Sequence, residues 1–278
     1  MNRSHLQSAW CAILAAGLSG AACLGQCRFP ADGTGRVLTY AFEPTVSPTG
    51  TVLHTTLSFQ GGRAAEEEVE VPSEWAGETL HGLTNLHALS TGTLVEDTSS
   101  PGRKTLRYRP EQNVVLAWDV VKDWKGRFTH PAQFHGAILP EYIEVNGANA
   151  LIHPKLSSES QVTVHFDWSR LPAAWALATS FGTTSNADGR CQSYSGRWNG
   201  VEQALFAAGE FRIHQFRIGV RPAVLAIRGE WAFSDDEAIA GIQKAIGIVR
   251  DFWHDDNFPY FLVTVKPFDN ESGQGEGS

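Results

Sequence analysis

Val162-Thr163-Val164-His165-Phe166-Asp167-Trp168, followed by Leu171-Pro172-Ala173-Ala174-Trp175-Ala176-Leu177-Ala178-Thr179-Ser180, is the stretch that decides how this chain folds. Val162, Val164, Phe166 and Trp168 alternate with Thr163, His165 and Asp167. Side chains along a strand point to opposite faces in turn, so the four large apolar groups share one face. The pattern recurs outward from here. Leu53, Leu57 and Phe59 share a face of the run 52–59, which Gly61-Gly62 ends. Leu106 and Tyr108 alternate with Arg107 and Arg109, and Phe211 and Ile213 repeat the motif later. Val114 to Val121 is more continuously apolar, as a strand covered on both faces would be. Turn residues punctuate these runs at Pro48-Thr49-Gly50, Ser99-Ser100-Pro101-Gly102, Asn146-Gly147 and Ala187-Asp188-Gly189. Many short strands at this spacing predict a mainly β fold, a β-sandwich-like layered domain between about Arg36 and Val220. No fixed-period repeat occurs, which argues against a propeller or solenoid.

Beyond Pro222 the character changes. Ala223 to Ile227 reads as a short apolar strand. Ser234-Asp235-Asp236-Glu237 is a capping box, with acids at the positive end of the helix dipole. Ile239, Ile242, Ile246, Val249 and Trp253 then fall on one stripe of an amphipathic helix. Gly241 and Gly247 each weaken that helix by up to about 1 kcal/mol, so it relies on tertiary packing. Asn257 and Pro259 mark its exit, and Tyr260 to Val265 reads as another strand. The polar, glycine-rich run Glu271 to Ser278 follows. Strand, helix and strand are read as the start of an incomplete α/β domain, since so few elements bury too little surface to stand alone. Packing as a small α+β appendix on the β layers is the alternative. The expected division is 1–25 signal peptide, 26–221 β-rich domain and 222–278 start of the α/β segment.

Arg3, the uncharged apolar run Ala9 to Leu18, and the small residues before Gln26 form the three parts of a secretory signal, with Ala22/Cys23 as the alternative cleavage site. The run is shorter than the roughly 20 residues that span a bilayer, and no later segment is long and apolar enough to do so. Neither Gly20-Ala21-Ala22-Cys23 nor Leu24-Gly25-Gln26-Cys27 makes a good lipobox. An exported protein, periplasmic or extracellular, is the expectation. Cleavage before Gln26 removes Cys11 and Cys23 and leaves Cys27 and Cys191, which an oxidising compartment favours pairing; two free thiols are the alternative. With 42% hydrophobic residues the chain can bury a core, and a net charge of −8 makes nucleic acid a poor partner.

Other candidate sites weigh little. His130 and His135 flank Pro131, which opposes a helix that would align them as metal ligands. His254-Asp255-Asp256 suits a helix end better than coordination. Glu66-Glu67-Glu68 reads as a solvated edge and not an acid/base pair. Ser193 and Ser195 lack a nucleophile elbow, and Gly33-Thr34-Gly35 precedes no helix. The nine tryptophans invite a glycan-stacking role, but most are placed as core residues would be.

The 162–180 stretch resembles the strand followed by Leu-Pro-x-x-Trp-x-x-Ala-Thr in the N-terminal domain of M61 peptidases, the glycyl aminopeptidase family. Ala207-Ala208-Gly209-Glu210-Phe211, Ile227-Arg228-Gly229-Glu230-Trp231, Phe252-Trp253 and Phe258-Pro259-Tyr260-Phe261-Leu262-Val263-Thr264 follow in that family's order. The resemblance implies a β-rich domain followed by a thermolysin-like zinc domain, often with a PDZ domain after it. In that domain the two His of His-Glu-x-x-His and a later Glu hold zinc, and the motif's Glu is the general base. None of the ten His here is followed by Glu, so no metal ligand and no catalytic residue carries over. The expected function is therefore the non-catalytic N-terminal portion of a secreted metallopeptidase (an aminopeptidase), inactive alone. Zinc and a peptide substrate are expected only in the full-length protein. The resemblance also makes Gly273, Gly275 and Glu276 candidates for a substrate-binding edge. The rival reading is a self-sufficient exported β-sandwich module that binds peptide or glycan.

Overall fold

The computed structural model describes residues 27–30, 35–48, 50–75, 77–124, 135–184, 189–254 and 260–267. A six-stranded sheet has the order β16 (Cys191–Arg197), β13 (Gln161–Asp167), β1 (Arg36–Ser47), β2 (Gly50–Gln60), β9 (Asn113–Val121), β6 (Leu83–Ala88). A five-stranded sheet has the order β10 (Ala137–Ile138), β11 (Tyr142–Asn146), β17 (Leu205–Gly209), β14 (Ala176–Thr179), β15 (Gly182–Thr184). A four-stranded sheet runs β12 (His153–Pro154), β3 (Glu66–Glu70), β8 (Arg103–Arg107), β7 (Leu94–Asp97). The three-stranded sheet is β18 (Arg212–Ile218), β19 (Arg221–Ile227), β20 (Phe261–Val265), and β4 (Glu74–Trp75) pairs with β5 (Glu78–Thr79). Helices α1 (Gly147–Ala150), α2 (Trp198–Glu202) and α3 (Asp235–Trp253) complete the described elements.

The alternation at 162–168 does what its period requires. Strand β13 lies between β16 and β1, parallel to β1, with Tyr40 opposite Phe166. Val162, Val164, Phe166 and Trp168 all enter the main core, where Trp168 stacks on Phe42 with ring centroids 3.9 Å apart. From the facing layer, Ile143, Val145, Leu177, Phe206 and Ala208 close that core.

The five-stranded sheet is the middle layer, buried on both faces. Its residues divide by the same period of two. Leu177 and Phe206 point to the main core, whereas Ala176, Ala178 and Ala207 point the other way, into a second cluster with Phe211 and Ala226. Small side chains on that face let the three-stranded sheet approach closely. Within the middle layer Gly209 lies opposite Tyr142 of the neighbouring strand: its φ is +153°, and a Cβ there would lie 2.4 Å from the Cβ of Tyr142, which only glycine avoids.

Two expectations are corrected, and a third gains detail. Strand β9 buries Val114, Leu116, Trp118 and Val120 while the alternate residues stay partly open or exposed, so it is covered on one face only. The run of continuous apolarity misled because Val115 and Ala117 sit on the open side. The expected solvated edge at Glu66 to Glu68 carries ion pairs: the three lie on β3 beside β8, beyond the Val69 and Glu70 that pair with β12, and Arg36, Arg103, Arg107 and Lys155 reach them, while the Glu66 side chain stays 58% exposed. Helix α3 forms with the expected capping box, but its apolar stripe is only half covered. Ile239, Ile242 and Ile246 are partly buried, Val249 and Trp253 are 56% and 71% exposed, and Arg250 is the buried residue.

Candidate functional site at the seam of the three-stranded sheet

The seam joins the middle β layer to the unit built from β18, β19, α3 and β20. Strand β19 runs parallel to β20, and α3 connects them, which makes a βαβ unit. Five buried residues of β19, Ala223 to Ile227, explain its central place in the sheet. Strand β20 is partly exposed along its whole length and, among the described residues, pairs on one side only.

Polar contacts fix this unit at three places. Asp235, in the first turn of α3, accepts from both Arg212 Nε and Nη2 at 2.8 Å and lies 2.7 Å from His214 Nε2. The Arg212 guanidinium, helped by His214, holds the Asp235 carboxyl at about 2, below the usual carboxylate range. The first turn of α3 is thereby tied to β18. Lys266, just after β20, is ion-paired with Glu144 of β11. Arg228 lies over the Tyr142 ring at 5.2 Å and approaches Glu210 at 3.7 Å.

A recess of about 330 Å³ opens on this seam, lined by Thr183, Gln215, Phe216, Arg217 and Tyr260. The Tyr260 hydroxyl is buried with no hydrogen-bond partner among the described residues, and burial pushes its pKa up to about 12. Gln215 Nε2 donates to Thr183 Oγ1 at 3.2 Å, a link between the two sheets. The recess offers hydrogen-bond donors but no nucleophile beside a base.

Sequence candidates are distributed as follows. Cys27 and Cys191 form a disulfide with Cα atoms 5.6 Å apart. Gly273, Gly275 and Glu276, the 1–25 leader, Gly33-Thr34, His130, and Asp255-Asp256 with the exit at Asn257 and Pro259 lie outside the described residues. His254 caps α3 with φ 49°. His135 Nδ1 pairs with Asp123 at 2.7 Å. Ser193 Oγ lies 2.8 Å from His165 Nδ1, a pair that sequence spacing does not announce because it spans two neighbouring strands. It is no catalytic dyad: His165 is buried, and among the described residues no acid orients it. Among the described residues no group of three or more His, Cys, Asp or Glu side chains is placed to hold a metal ion, so a zinc site does not fit them.

The architecture has solved counterparts. The aminopeptidase N family protein from Idiomarina loihiensis superposes with a TM-score of 0.65 at 16% identity, over 82% of this chain and 39% of that one. The chain folds like part of an aminopeptidase. It spans about two fifths of the length of that aminopeptidase N family protein. The M1 zinc metallopeptidase from Deinococcus radiodurans superposes with a TM-score of 0.42 at 12% identity, over 87% of this chain and 59% of that one. No protein-family profile matches the sequence, and no protein of curated function does. The aminopeptidase-like layers account for the 162–180 stretch as a structural element, because its strand and loop lie in the core between the two large sheets. No helix among the described residues is long and apolar enough to cross a membrane.

Proposed function

We propose that this chain is the non-catalytic, β-rich portion of an exported M61-like metallopeptidase, an aminopeptidase, in which it shapes the substrate cleft and supports a zinc domain. The observation that supports this reading is the seating of the β19–α3–β20 unit on the alanine face of the middle layer, with β20 left at the sheet edge among the described residues. An extended peptide adds to such an edge through backbone hydrogen bonds, and the run from Phe268 toward Gly273, Gly275 and Glu276 continues from it. The half-covered stripe of α3 is a surface on which further structure of the same enzyme would pack.

In this proposal residues 1–25 are a signal peptide, 26–221 the β-rich domain and 222–278 the start of the α/β domain. The Cys27–Cys191 disulfide supports a periplasmic or extracellular location, since such bridges persist in oxidising compartments. Zinc and peptide hydrolysis would belong to residues outside this sequence, because no His-Glu dipeptide occurs in it. Reading the coding DNA past the Ser278 codon tests the proposal. An open frame encoding His-Glu-x-x-His is the expected result, and an immediate stop codon overturns it. Metal analysis of the dialysed chain adds a second arm: one tightly held zinc per chain would overturn the assignment of zinc binding elsewhere.

A further inference from the structure

A cavity of about 320 Å³ lies away from the seam, where the four-stranded sheet meets the β4–β5 hairpin and the short helices α1 and α2. Glu70, Ser73, Ser100, Arg103, His153 and Glu202 line it. Three of them stand in one row: His153 on β12 is in register with Glu70 on β3, and Glu70 with Arg103 on β8. Residues in register on neighbouring strands share a face and lie about 5 Å apart. An imidazole, a carboxylate and a guanidinium therefore stand side by side along one wall.

One end of the row only accepts. His153 is 9% exposed, and its Nδ1 sits 2.9 Å from the Pro154 carbonyl oxygen. A carbonyl cannot donate, so Nδ1 carries the proton and Nε2 is left as an acceptor. Burial pushes the imidazole pKa down to about 4, which keeps the ring neutral at pH 7. Nε2 faces Glu70 Oε2 at 3.7 Å. Two acceptors thus confront one another with no hydrogen to share, and a donor with several hydrogens can bridge them. Glu202 adds a second carboxylate with no donor among the described residues; burial, and then the Glu70 charge, raise its pKa.

The other end only donates. Arg103 does not turn to Glu70, its register partner, but leans on Glu68, which it meets through Nε at 3.5 Å. Lys155 already serves the same Glu68 oxygen at 3.1 Å, and half of the Arg103 side chain is exposed. The outer nitrogens of the guanidinium are thus left to a ligand. Two hydroxyls join them. Arg103 N–H donates to the Ser100 carbonyl oxygen at 3.1 Å and Val71 N–H to that of Gly102 at 2.9 Å, which folds the 100–103 turn against the end of β3. A Cβ on Gly102 would lie 2.7 Å from Ser73 Oγ, so the missing side chain lets Ser73 stand over the turn. Neither the Ser73 nor the Ser100 hydroxyl is engaged by a described residue.

A lone ammonium or a metal ion would leave Arg103 and both hydroxyls idle. A lone phosphate or carboxylate would be repelled by Glu70 and Glu202. An uncharged ligand would leave the opposed charges of Glu70 and Arg103 without ionic partners. A molecule with an ammonium and a carboxylate on adjacent atoms meets both ends, because three N–H donors and four lone-pair sites then lie within one strand spacing. The volume is at the lower end of the range for small-molecule pockets, which suits so small a ligand.

We propose that this cavity binds a free α-amino acid, its ammonium bridging Glu70 and His153 Nε2 under the charge of Glu202, and its carboxylate accepting from Arg103, Ser73 and Ser100. The site does not depend on the peptidase reading.

The test is a titration of the whole, oxidised chain, followed through the backbone amide signals of Ser73, Gly102 and Arg103 in nitrogen–proton correlation spectra. L-alanine, L-leucine, L-glutamate and L-lysine are the probes, and at least one should shift those signals saturably. The amide of that amino acid keeps the ammonium and loses the carboxylate, and the N-acetyl derivative does the reverse. Each should bind about tenfold more weakly, the worth of one charge-assisted contact. Arg103→Gln should weaken the amino acid about tenfold and leave its amide unaffected, while Glu70→Gln should weaken it equally and spare the N-acetyl derivative. Both side chains are a third to a half exposed, so neither change opens the core. No movement of the three signals at about 50 mM of any probe, far above a millimolar Kd, overturns the proposal. So does an amide or N-acetyl derivative that binds as tightly as its parent, or an amino-acid affinity unchanged in either variant.

Discussion

The Arg190 guanidinium is buried inside the loop that leads to Trp175, and its Nη2 donates to the Trp175 carbonyl oxygen at 3.0 Å. Arg190 is 1% exposed and, among the described residues, meets no carboxylate; the carbonyl oxygens of Leu171, Pro172, Ala173 and Trp175 surround it instead. Four peptide dipoles here stand in for a counter-ion, and the loop winds around the charge. The neighbouring residue, Cys191, carries the disulfide, so the cation and the covalent bridge fix the same corner.

Replacing Arg190 with Leu should therefore lower stability by about 3 kcal/mol, because it strands several buried carbonyls at once. Arg190→Lys should recover only part of this, since an ammonium cannot span the carbonyls that a planar fork reaches. Urea midpoints of the two variants measure it. A lysine variant as stable as the parent would show that charge alone, and not the fork, holds the loop.

Loss of the disulfide should cost about 2–4 kcal/mol, the usual effect of opening a long covalent loop. The double variant Cys27→Ser, Cys191→Ser provides the comparison by thermal or denaturant unfolding. Thiol titration of the unreduced, denatured chain beginning at Gln26 should find no free thiol. Two free thiols would remove the bridge from the native protein.

His153 should make stability fall in mild acid. The folded chain keeps this imidazole neutral down to about pH 4, whereas the unfolded chain protonates it near the ordinary histidine value of 6.5. Between those values the unfolded state binds the extra proton, so the contribution is complete above 6.5, declines as pH falls and is gone near 4. The whole span is about 3 kcal/mol. His153→Gln should flatten the stability curve across that window, and an unchanged slope would place the acid sensitivity elsewhere.

Asp235 works with the opposite charge and in the same direction. Its depressed carboxyl pKa contributes stability above the usual carboxylate value, and that contribution is lost as pH falls through about 2. At neutral pH, Asp235→Asn should loosen the first turn of α3 at a cost of about 1 kcal/mol, by removing the dipole partner and the Arg212 fork. Amide exchange read by mass spectrometry should rise in the first turn of α3 and in β18 while β13 stays protected. Equal exchange in parent and variant would mean that apolar packing alone seats the helix.

The amino-acid sequence by itself determined the local features. The alternation at 162–168 set which side chains share a strand face, because the pleat has a period of two whatever surrounds it. The Ser234–Glu237 box started α3 where its side chains could satisfy the first backbone N–H groups. Sequence also singled out Cys27 and Cys191 as the candidate pair, without saying that they meet. Whether a face is covered was decided only in three dimensions. Val249 and Trp253 lie on the same stripe as Ile239, yet nothing among the described residues packs over them enough to bury them, so the helical period told the face and not its neighbour. Ala176, Ala178 and Ala207 give no sign in the sequence of the third sheet that is laid against them. The polar cavity was equally hidden. Glu70, His153 and Glu202 come from three separate segments and line one cavity only after β3, β12 and α2 have packed together. Short-range geometry is written in neighbouring residues, while the company a side chain keeps depends on contacts that the chain closes over long loops.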